Sequence, residues 1–377
     1  MNKTKLKITI LLLSMVQMGP IFMSPIIGTL IEQFPQYSAS TVQMVMTFPN
    51  LVVVLVSLFI GKLETNVTKK NLCLLACASI FLGVFGLFTF HNCLPILFAF
   101  SGCIGIGVGI LLSITATMIS IYYQGEEQAS LMGLQNTFNN LGGMVLNILG
   151  GILASIAWYY DFLAPLILIP GFLMVFSSVP NQKGEKKESV KVSVPKNIFL
   201  FYIVNIIFAI LFNMMPTNIS ILIGVKGLGG TSFSGIVTAI FLCGGALGGI
   251  LYPMIKNKLE DRTIGCAFLN LGLGFFIISM ANSALVLLIG SFIGGCSITL
   301  VMSQMVYSIS QKTESYITPT AISYLMAFNN LGNFISPTIF SFLPGNDIAY
   351  KFTLSAVICL VCCALVFVLF KGKEQSA

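Results

Sequence analysis

Charged residues are scarce in this sequence. Lys, Arg, Asp and Glu make up 8% of its 377 residues, whereas about a quarter of a typical soluble domain is charged. So few charges cannot coat the surface of a water-soluble protein of this length, and the mean hydropathy of +0.96 agrees. The composition therefore excludes a soluble fold and predicts a polytopic membrane protein that is embedded in a lipid bilayer.

The apolar segments also lack the groups that chemistry inside a membrane needs. An embedded enzyme requires nucleophiles, metal ligands or acid–base groups at membrane depth. The single histidine and the scattered cysteines offer no such cluster, and the cysteines fit small apolar helix residues better. We predict no enzyme activity, no metal site and no cofactor. A polytopic sensor or enzyme without flux is the less favoured alternative.

Hydrophobic windows of about twenty residues predict an all-α membrane protein with twelve transmembrane helices. The N-terminal apolar stretch imitates a signal peptide, but it continues to Ile31 without a small-residue cleavage site, so it is predicted to be a retained first span. The predicted spans cover residues 8–31, 42–63, 71–91, 94–122, 130–156, 162–178, 198–224, 234–255, 263–281, 284–309, 319–343 and 350–370.

A polar linker from Pro180 to Lys196 separates spans six and seven. We predict a six-helix bundle over residues 1–179, a cytoplasmic linker over 180–197 and a second six-helix bundle over 198–377. If both termini are cytoplasmic, all basic residues except Lys226 and Lys351 lie on the cytoplasmic side, as the positive-inside rule requires. The net charge of +7 is therefore a topology signal and indicates no nucleic-acid partner.

An internal repeat supports two equivalent halves. The stretch FNNLG begins at Phe138 and returns 190 residues later at Phe328. Further matched pairs are Leu97–Leu287, Ser101–Ser291 and Gly105–Gly295 in spans four and ten and, at a slightly different offset, Pro20–Pro216, Ser24–Ser220 and Gly28–Gly224 in spans one and seven. This order predicts a duplicated six-span unit whose copies share one membrane orientation, a known architecture of secondary transporters.

The twelve spans in two sixes, the charged linker and a degenerate loop signature together resemble the major facilitator superfamily over nearly the whole chain. The family signature after span two runs Gly-x-Leu-x-Asp-Arg-x-Gly-Arg-Lys. Here the stretch is GKLETNVTKK, with Thr65 and Asn66 in place of Asp and Arg, and its counterpart after span eight is GGILYPMIKNK. The retained residues that the resemblance assigns to a conformational loop motif are Gly61, Lys69, Lys70 and Gly249.

Asparagines mark the candidate site. With about 100° per helical residue, two polar stripes form on spans five and eleven: Asn136, Asn140, Gly143 and Asn147 on the first, and Asn330, Asn333 and Pro337 on the second. Facing lipid, these amides would remain unpaired at a cost of several kcal/mol. They therefore either form interhelical hydrogen bonds or line a central cavity. We favour cavity lining, except for Asn139 and Asn329 at the stripe edges, where both interpretations have equal weight.

Polar stripes on spans one, two, seven and ten extend this set, and the resemblance implies that these spans contribute cavity walls. The candidate solute-binding residues are Gln17, Asn50, Asn136, Asn140, Asn147, Asn213, Thr299, Tyr307, Asn330 and Asn333.

No charged side chain can be placed near the middle of a predicted span. Glu32 falls at the outer end of the first span and Asp161 in an outer loop. Because a charged solute needs an opposite charge in so apolar a setting, we predict a small neutral or largely apolar organic solute. The resemblance implies a secondary active transporter that works by rocker-switch alternating access.

The predicted transporter is a monomer in the plasma membrane. Efflux coupled to protons is one form of this prediction, with Glu32 as the candidate coupling residue, because a carboxylate in a partly dehydrated pocket can bind a proton near neutrality. An uptake facilitator or a symporter of the same fold is the alternative.

Overall fold

The computed structural model describes residues 3–183, 195, 198–314, 317–343 and 347–370, apart from the side chains of Lys62, Ala129 and Pro319. These ranges contain no β-strand; an isolated bridge joins Thr68 to Lys183. The α-helices are α1 (Lys3–Ser14), α2 (Ile27–Gln33), α3 (Ala39–Asn66), α4 (Lys69–Thr89), α5 (Leu94–Tyr122), α6 (Gly125–Ala154), α7 (Ile169–Ser178), α8 (Phe199–Phe212), α9 (Met214–Val225), α10 (Thr231–Leu259), α11 (Thr263–Met280), α12 (Ala284–Gly295), α13 (Ser297–Lys312), α14 (Thr318–Ser341) and α15 (Ile348–Leu369).

Within the described ranges, ten helical segments are long and apolar enough to cross a membrane. One of these segments, Thr231–Met280, contains both α10 and α11, which are separated by the short 3-10 turn Glu260–Arg262. The asparagine-bearing α14 is not among the ten, although it is 24 residues long. The predicted all-helical membrane architecture is confirmed.

Several helices turn large apolar side chains outward. Leu58 and Phe59 in α3 and Leu173 and Phe176 in α7 are each more than half exposed. A soluble monomer rarely exposes apolar surface on this scale, whereas hydrocarbon chains solvate such side chains at no cost. The outward faces of these helices therefore suit a lipid surrounding.

The first predicted span is interrupted, because α1 ends at Ser14 and a 3-10 segment, Gly19–Ile26, precedes α2. Gly19 has a φ of +61°, in the left-handed region that favours glycine. Pro20 lacks the backbone N–H that a continuing α-helix needs. Backbone carbonyl and amide groups therefore leave the regular helical pattern in the middle of the span.

Other predicted spans are interrupted as well. The seventh consists of α8 and α9, joined at Asn213, and the tenth consists of α12 and α13, joined at Cys296. The sixth begins with a 3-10 segment, Trp158–Leu168, ahead of α7. Interrupted helices commonly line the substrate sites of transporters, so these breaks are candidate positions for a substrate site.

The residue contacts divide the chain into two compact units. The first unit comprises Met1–Ser189 with Thr231–Gly235, and the second comprises Val190–Gly230 with Ile236–Ala377. The core of the first contains the fully buried Phe22 and Phe162. In the core of the second, Phe275 packs edge-to-face on Phe352 with ring centroids 5.5 Å apart.

Matching glycines let two helices approach closely in each unit. In the first, a Cβ atom on Gly142 of α6 would overlap the backbone of Met15, just beyond the end of α1. In the second, a Cβ on Gly332 of α14 would lie 2.8 Å from the carbonyl oxygen of Ile206 in α8. Gly142 and Gly332 are separated by the same 190 residues as the two FNNLG stretches.

Candidate functional site

A buried amide–hydroxyl cluster crosses three segments of the first unit. This glutamine cluster consists of Gln17, in the break after α1, Thr115 of α5 and Gln135 of α6. The Gln17 Nε2 donates to Thr115 Oγ1 at 2.8 Å, and the Gln135 Nε2 donates to the same Oγ1 at 2.8 Å and to Gln17 Oε1 at 3.3 Å. Thr115 in turn donates to the carbonyl of Leu111 at 2.7 Å. The cluster is polar but carries no charge.

The second unit holds a row of asparagines between α8 and α14. This asparagine ladder consists of Asn205, Asn213, Asn329 and Asn333. Asn205 Nδ2 donates to the carbonyl of Leu325 at 2.8 Å, and Asn329 Nδ2 donates to Asn205 Oδ1 at 3.3 Å. Asn333 Nδ2 donates to Asn329 Oδ1 at 3.3 Å, and Asn213 Nδ2 donates to the carbonyl of Asn333 at 2.9 Å.

The two polar groups occupy related positions in the repeat. Gln17 and Asn213 stand 196 residues apart, at the offset that relates spans one and seven. Each lies at the break of the first span of its unit, and each is hydrogen-bonded within its own unit. Sequence reasoning singled out Gln17, Asn213 and Asn333 but missed Gln135, which lies four residues before Asn139 and thus on the same helix face.

Three of the candidate solute-binding residues carry amides without a hydrogen bond to any described residue: Asn50, Asn136 and Asn140 are all at least partly accessible. Asn330 instead donates to the carbonyl of Met326 in its own helix at 2.9 Å. The structure therefore distinguishes amides that are hydrogen-bonded to another helix from amides that have no such bond.

Asn147 is fully buried in α6. Its Nδ2 donates to the carbonyl of Gly143 at 2.8 Å, but its Oδ1 has no partner among the described residues. The buried Oδ1 of Asn139 likewise lacks one. Buried polar atoms normally have a partner, so these two oxygens are exceptions among the described residues.

Thr299 and Tyr307, the two candidates from span ten, both contact α10. Thr299 donates to the carbonyl of Gly245 at 2.6 Å and so ties α13 to α10. The ring of Tyr307 is 40% exposed, and the Lys256 Nζ lies 3.3 Å from its centroid. This distance is typical of a cation–π contact.

Glu32 and Asp161 both lie in environments that differ from the predicted ones: Glu32 is exposed and Asp161 is buried. Glu32, the predicted coupling residue, is exposed near the end of α2, which is not the dehydrated pocket that the argument needs. Asp161 was predicted to lie in an outer loop, and this is wrong: it belongs to the 3-10 segment Trp158–Leu168 and is completely buried. Neither carboxyl oxygen has a partner among the described residues. The mixed composition of the sequence WYYD gave no sign of this burial.

The residues assigned to the loop motif lie on or beside helix ends, except the glycines. Lys69 is buried at the start of α4, where its amide donates to the carbonyl of Gln182 at 2.9 Å and its Nζ to that of Lys183 at 3.4 Å. Lys70 Nζ donates to the carbonyl of Phe176 at 2.7 Å. Gly61 lies within α3, with open space at its Cα, and Gly249 lies within α10 beside Thr299.

A better counterpart of the loop signature begins in the last turn of α10. At the 196-residue offset, the stretch KLE at 62–64 returns at 258–260, and Asp261 and Arg262 fill the places of Thr65 and Asn66. Sequence reasoning missed this match because it paired Gly61 with Gly249, an offset of 188 residues. The second copy thus retains the Leu-x-Asp-Arg of the family signature.

Asp261 is the centre of a polar cluster at the end of α13. Its Oδ1 accepts from Ser308 and, at 3.1 Å, from Gln304. Its Oδ2 pairs with Lys312 at 2.7 Å. In the first unit, Glu64 accepts a hydrogen bond from Thr117 of α5 at 3.4 Å. In each unit, a carboxylate shortly after the Lys-Leu pair of this stretch thus accepts hydrogen bonds from a helix of the fourth predicted span of that unit.

Comparisons with known proteins agree with this architecture. Residues 8–263 match the family model described as Major Facilitator Superfamily. The structure is similar to that of the nucleoside transporter NupG, with a TM-score of 0.77 at 13% identity over 99% of this chain and 100% of that chain. It is also similar to a variant of the peptide transporter POT in complex with alafosfalin, with a TM-score of 0.77 at 11% identity over 96% and 93% of the two chains.

A third similar structure is a POT family transporter in complex with 5-aminolevulinic acid, with a TM-score of 0.72 at 14% identity over 96% of this chain and 95% of that chain. At such identities, structural similarity establishes the fold alone. No curated protein sequence matches the chain significantly.

Proposed function

Because the chain belongs to the Major Facilitator Superfamily, we propose that it is a secondary transporter that moves a small neutral or largely apolar organic solute by rocker-switch alternating access. The family and the transporter neighbours indicate a multi-pass membrane transport protein rather than an enzyme. The chemical class of the solute and the alternating-access mechanism are our proposals.

The observation that carries the solute class is the neutral polar character of both units. The glutamine cluster and the asparagine ladder consist of amides and one hydroxyl, and both lie beside breaks in the first span of their unit. Amides donate and accept hydrogen bonds without charge, so accessible amides such as those of Asn50, Asn136 and Asn140 recognise hydroxyl, carbonyl and amide groups of a solute. A dianion or dication would find no opposite charge in either group and would be costly to dehydrate.

We assign two roles within this polar set. The ladder and the cluster fix the interrupted helices, because their donors are engaged within the unit. Asn50, Asn136 and Asn140 are the residues that contact solute, because their amides are accessible and have no described partner. The unpaired Oδ1 of Asn147 adds an acceptor on the same face of α6.

We also retain the topology predicted from the basic residues. Both termini are cytoplasmic, the protein acts as a monomer in the plasma membrane, and the linker 180–197 joins the bundles 1–179 and 198–377. Proton-coupled efflux is one form of this proposal, and an uptake facilitator or symporter is the alternative. The residues around Lys69 and Asp261 act as conformational loop motifs in this proposal.

The experiment is uptake into proteoliposomes that contain the purified full-length chain. The panel should pair neutral solutes, including nucleosides because one structural neighbour is a nucleoside transporter, with dicarboxylates and diamines of similar size. We expect saturable uptake of at least one neutral solute and none of the doubly charged compounds. Saturable uptake of a dianion or dication alone would contradict the proposed solute class.

A further inference from the structure

The buried carboxyl group of Asp161 is unexplained by the transport proposal. It is completely buried, and neither Oδ1 nor Oδ2 has a hydrogen-bond partner among the described residues. Its Oδ1 lies directly over Gly150 of α6, in the space that a Cβ atom at that position would fill. The carbonyl oxygen of Phe22, in the 3-10 segment Gly19–Ile26, borders the same space at 3.3 Å from that Cβ position.

Among the described residues, no cation pairs with this carboxyl group. The 3-10 segment that holds Asp161 packs against α4, α6, α7 and the segment Gly19–Ile26. Of these, α7 and Gly19–Ile26 contain no titratable residue, and α6 carries only Glu126 and Glu127, exposed in its first turn. The titratable residues of α4 are the lysines and cysteines in its first three turns: Lys69, Lys70, Cys73 and Cys77.

The 3-10 segment itself carries the titratable residues Tyr159 and Tyr160, whose rings contact His91 and Phe88. His91 stacks on Tyr159 with ring centroids 4.1 Å apart and contacts Trp158 edge-on, while Tyr160 stacks on Phe88 at 5.8 Å. The His91 Nδ1 is engaged with the carbonyl of Phe88 at 2.7 Å. None of these groups makes a hydrogen bond to Asp161.

An ionised carboxylate cannot remain in such a place. Burying a lone ion without a partner is so costly that the group takes up a proton instead, and acidic residues inside membrane proteins mark ion or proton pathways. The neutral carboxyl group needs only one proton on one oxygen, taken from water, and no oxidant or metal.

We propose that Asp161 is a proton-binding site of this transporter: the proton is bound while the carboxyl group is packed over Gly150, and it is released when a conformational change brings that group to water. The site would make transport responsive to a proton gradient, and in that respect it rests on the proposed function. It assigns the coupling role to Asp161 in place of Glu32.

Infrared spectroscopy of the full-length protein in lipid tests the site without any solute. At neutral pH we expect a carbonyl stretching band of a protonated carboxyl group that disappears in Asp161→Asn. The control Glu126→Gln replaces an exposed carboxylate on the neighbouring helix and should leave the band unchanged. An identical spectrum for the wild type and a folded Asp161→Asn would overturn the proposal.

A second pair of variants tests the packing over Gly150. Gly150→Ala places a methyl group against the Asp161 carboxyl oxygen and should expose that group to water, so the band at neutral pH should be lost or weakened. Gly133→Ala lies on the same helix, where a Cβ meets nothing within 4 Å, and should keep the band. An unchanged band in Gly150→Ala would contradict the link between packing and proton binding.

Replacing choline chloride by sodium chloride at constant pH separates a proton site from a sodium site. A proton site should give the same band in both salts. Loss of the band in sodium would show that Na⁺ displaces the proton and would overturn the assignment. Because none of these measurements requires flux, a failure here is distinct from a failure of the transport proposal.

Discussion

At the scale of single residues, the role of an asparagine depends on its partner rather than on its place in the sequence. Asn329 and Asn330 are adjacent, yet Asn329 bonds to Asn205 of α8 whereas Asn330 bonds only to its own helix. An amide that joins two helices stabilises the fold, while an amide without an interhelical partner can be replaced with little cost to stability. Neighbouring asparagines should therefore respond differently to the same substitution.

We predict that Asn329→Leu and Asn205→Leu each lower the unfolding free energy by about 1 kcal/mol, the typical net value of an interhelical hydrogen bond in a membrane. Asn140→Leu and Asn330→Leu should reduce solute uptake at unchanged thermal stability. Thermal unfolding in detergent and uptake by liposomes provide the two measurements. Equal losses of stability in all four variants would support a purely structural role for every asparagine.

Asp261 should contribute more to the stability of the protein than Lys312, its ion-pair partner. Its carboxylate accepts from Ser308, Gln304 and Lys312, and hydrogen bonds to a charged group contribute about 1.5–3 kcal/mol each. The side chain of Lys312 is 37% exposed, and exposed ion pairs contribute about 1 kcal/mol or less. We expect Asp261→Ala to lower the unfolding temperature clearly more than Lys312→Ala, and the reverse order would contradict this view of the cluster.

At the scale of helices, the breaks were harder to predict than the helices. Hydropathy identified the apolar segments, since a run of about twenty apolar residues is a strong signal. The break at Gly19–Ile26 depends on Gly19 and Pro20, which are also tolerated in continuous membrane helices. The ladder partner Asn205 was visible as a polar residue, but its pairing with Asn329 depends on helix rotation, which the sequence does not encode locally.

The glycine contacts give a prediction at this scale. Gly142→Ala and Gly332→Ala insert a methyl group against the backbone of a neighbouring helix, and such overpacking costs about 1–3 kcal/mol. Gly133→Ala and Gly224→Ala are matched controls on α6 and α9, because a Cβ at either position meets nothing within 4 Å. Thermal unfolding should separate the two pairs. Equal stability of all four variants would show that the close helix contacts at Gly142 and Gly332 do not contribute to stability.

At the scale of the whole molecule, charge sets the predicted topology. Of the two basic residues assigned outside, Lys226 has a structural role, since its Nζ donates to the carbonyls of Ser279 and Ala281 at 2.7 Å each. These bonds satisfy carbonyl groups at the end of α11, where a cation is favourable. Partial burial lowers the pKa of Lys226, and Asp347 opposes this shift.

We predict that reporters placed after Lys373 or near Glu185, both outside the described residues, are cytoplasmic, whereas one near Asp347 is external. The physical reason is the strong bias of basic residues towards the cytoplasmic loops. The buried Asp161 is unsuitable as a reporter position, because an insertion there would disturb the packing. Protease protection or cysteine labelling measures the orientation, and an external signal near Glu185 would invert it.

The overall architecture was predictable, whereas the polar interior was predictable only in part. Composition alone excluded a soluble protein, and the repeat indicated two related halves. The buried Asp161 could not be foreseen, because its neighbours Trp158, Tyr159 and Tyr160 suit a membrane interface as well as a loop. The match of KLE at 62–64 and 258–260 was present in the sequence but required a second register.

Counterflow tests the central claim, transport by alternating access, most directly. Proteoliposomes are loaded with an unlabelled neutral solute from the panel and diluted into a trace of the same solute with label, with no ion gradient. A carrier that alternates its access should accumulate label transiently above equilibrium, and Asn140→Leu should reduce this accumulation. Label that only equilibrates through folded wild-type protein, without overshoot, would contradict the account.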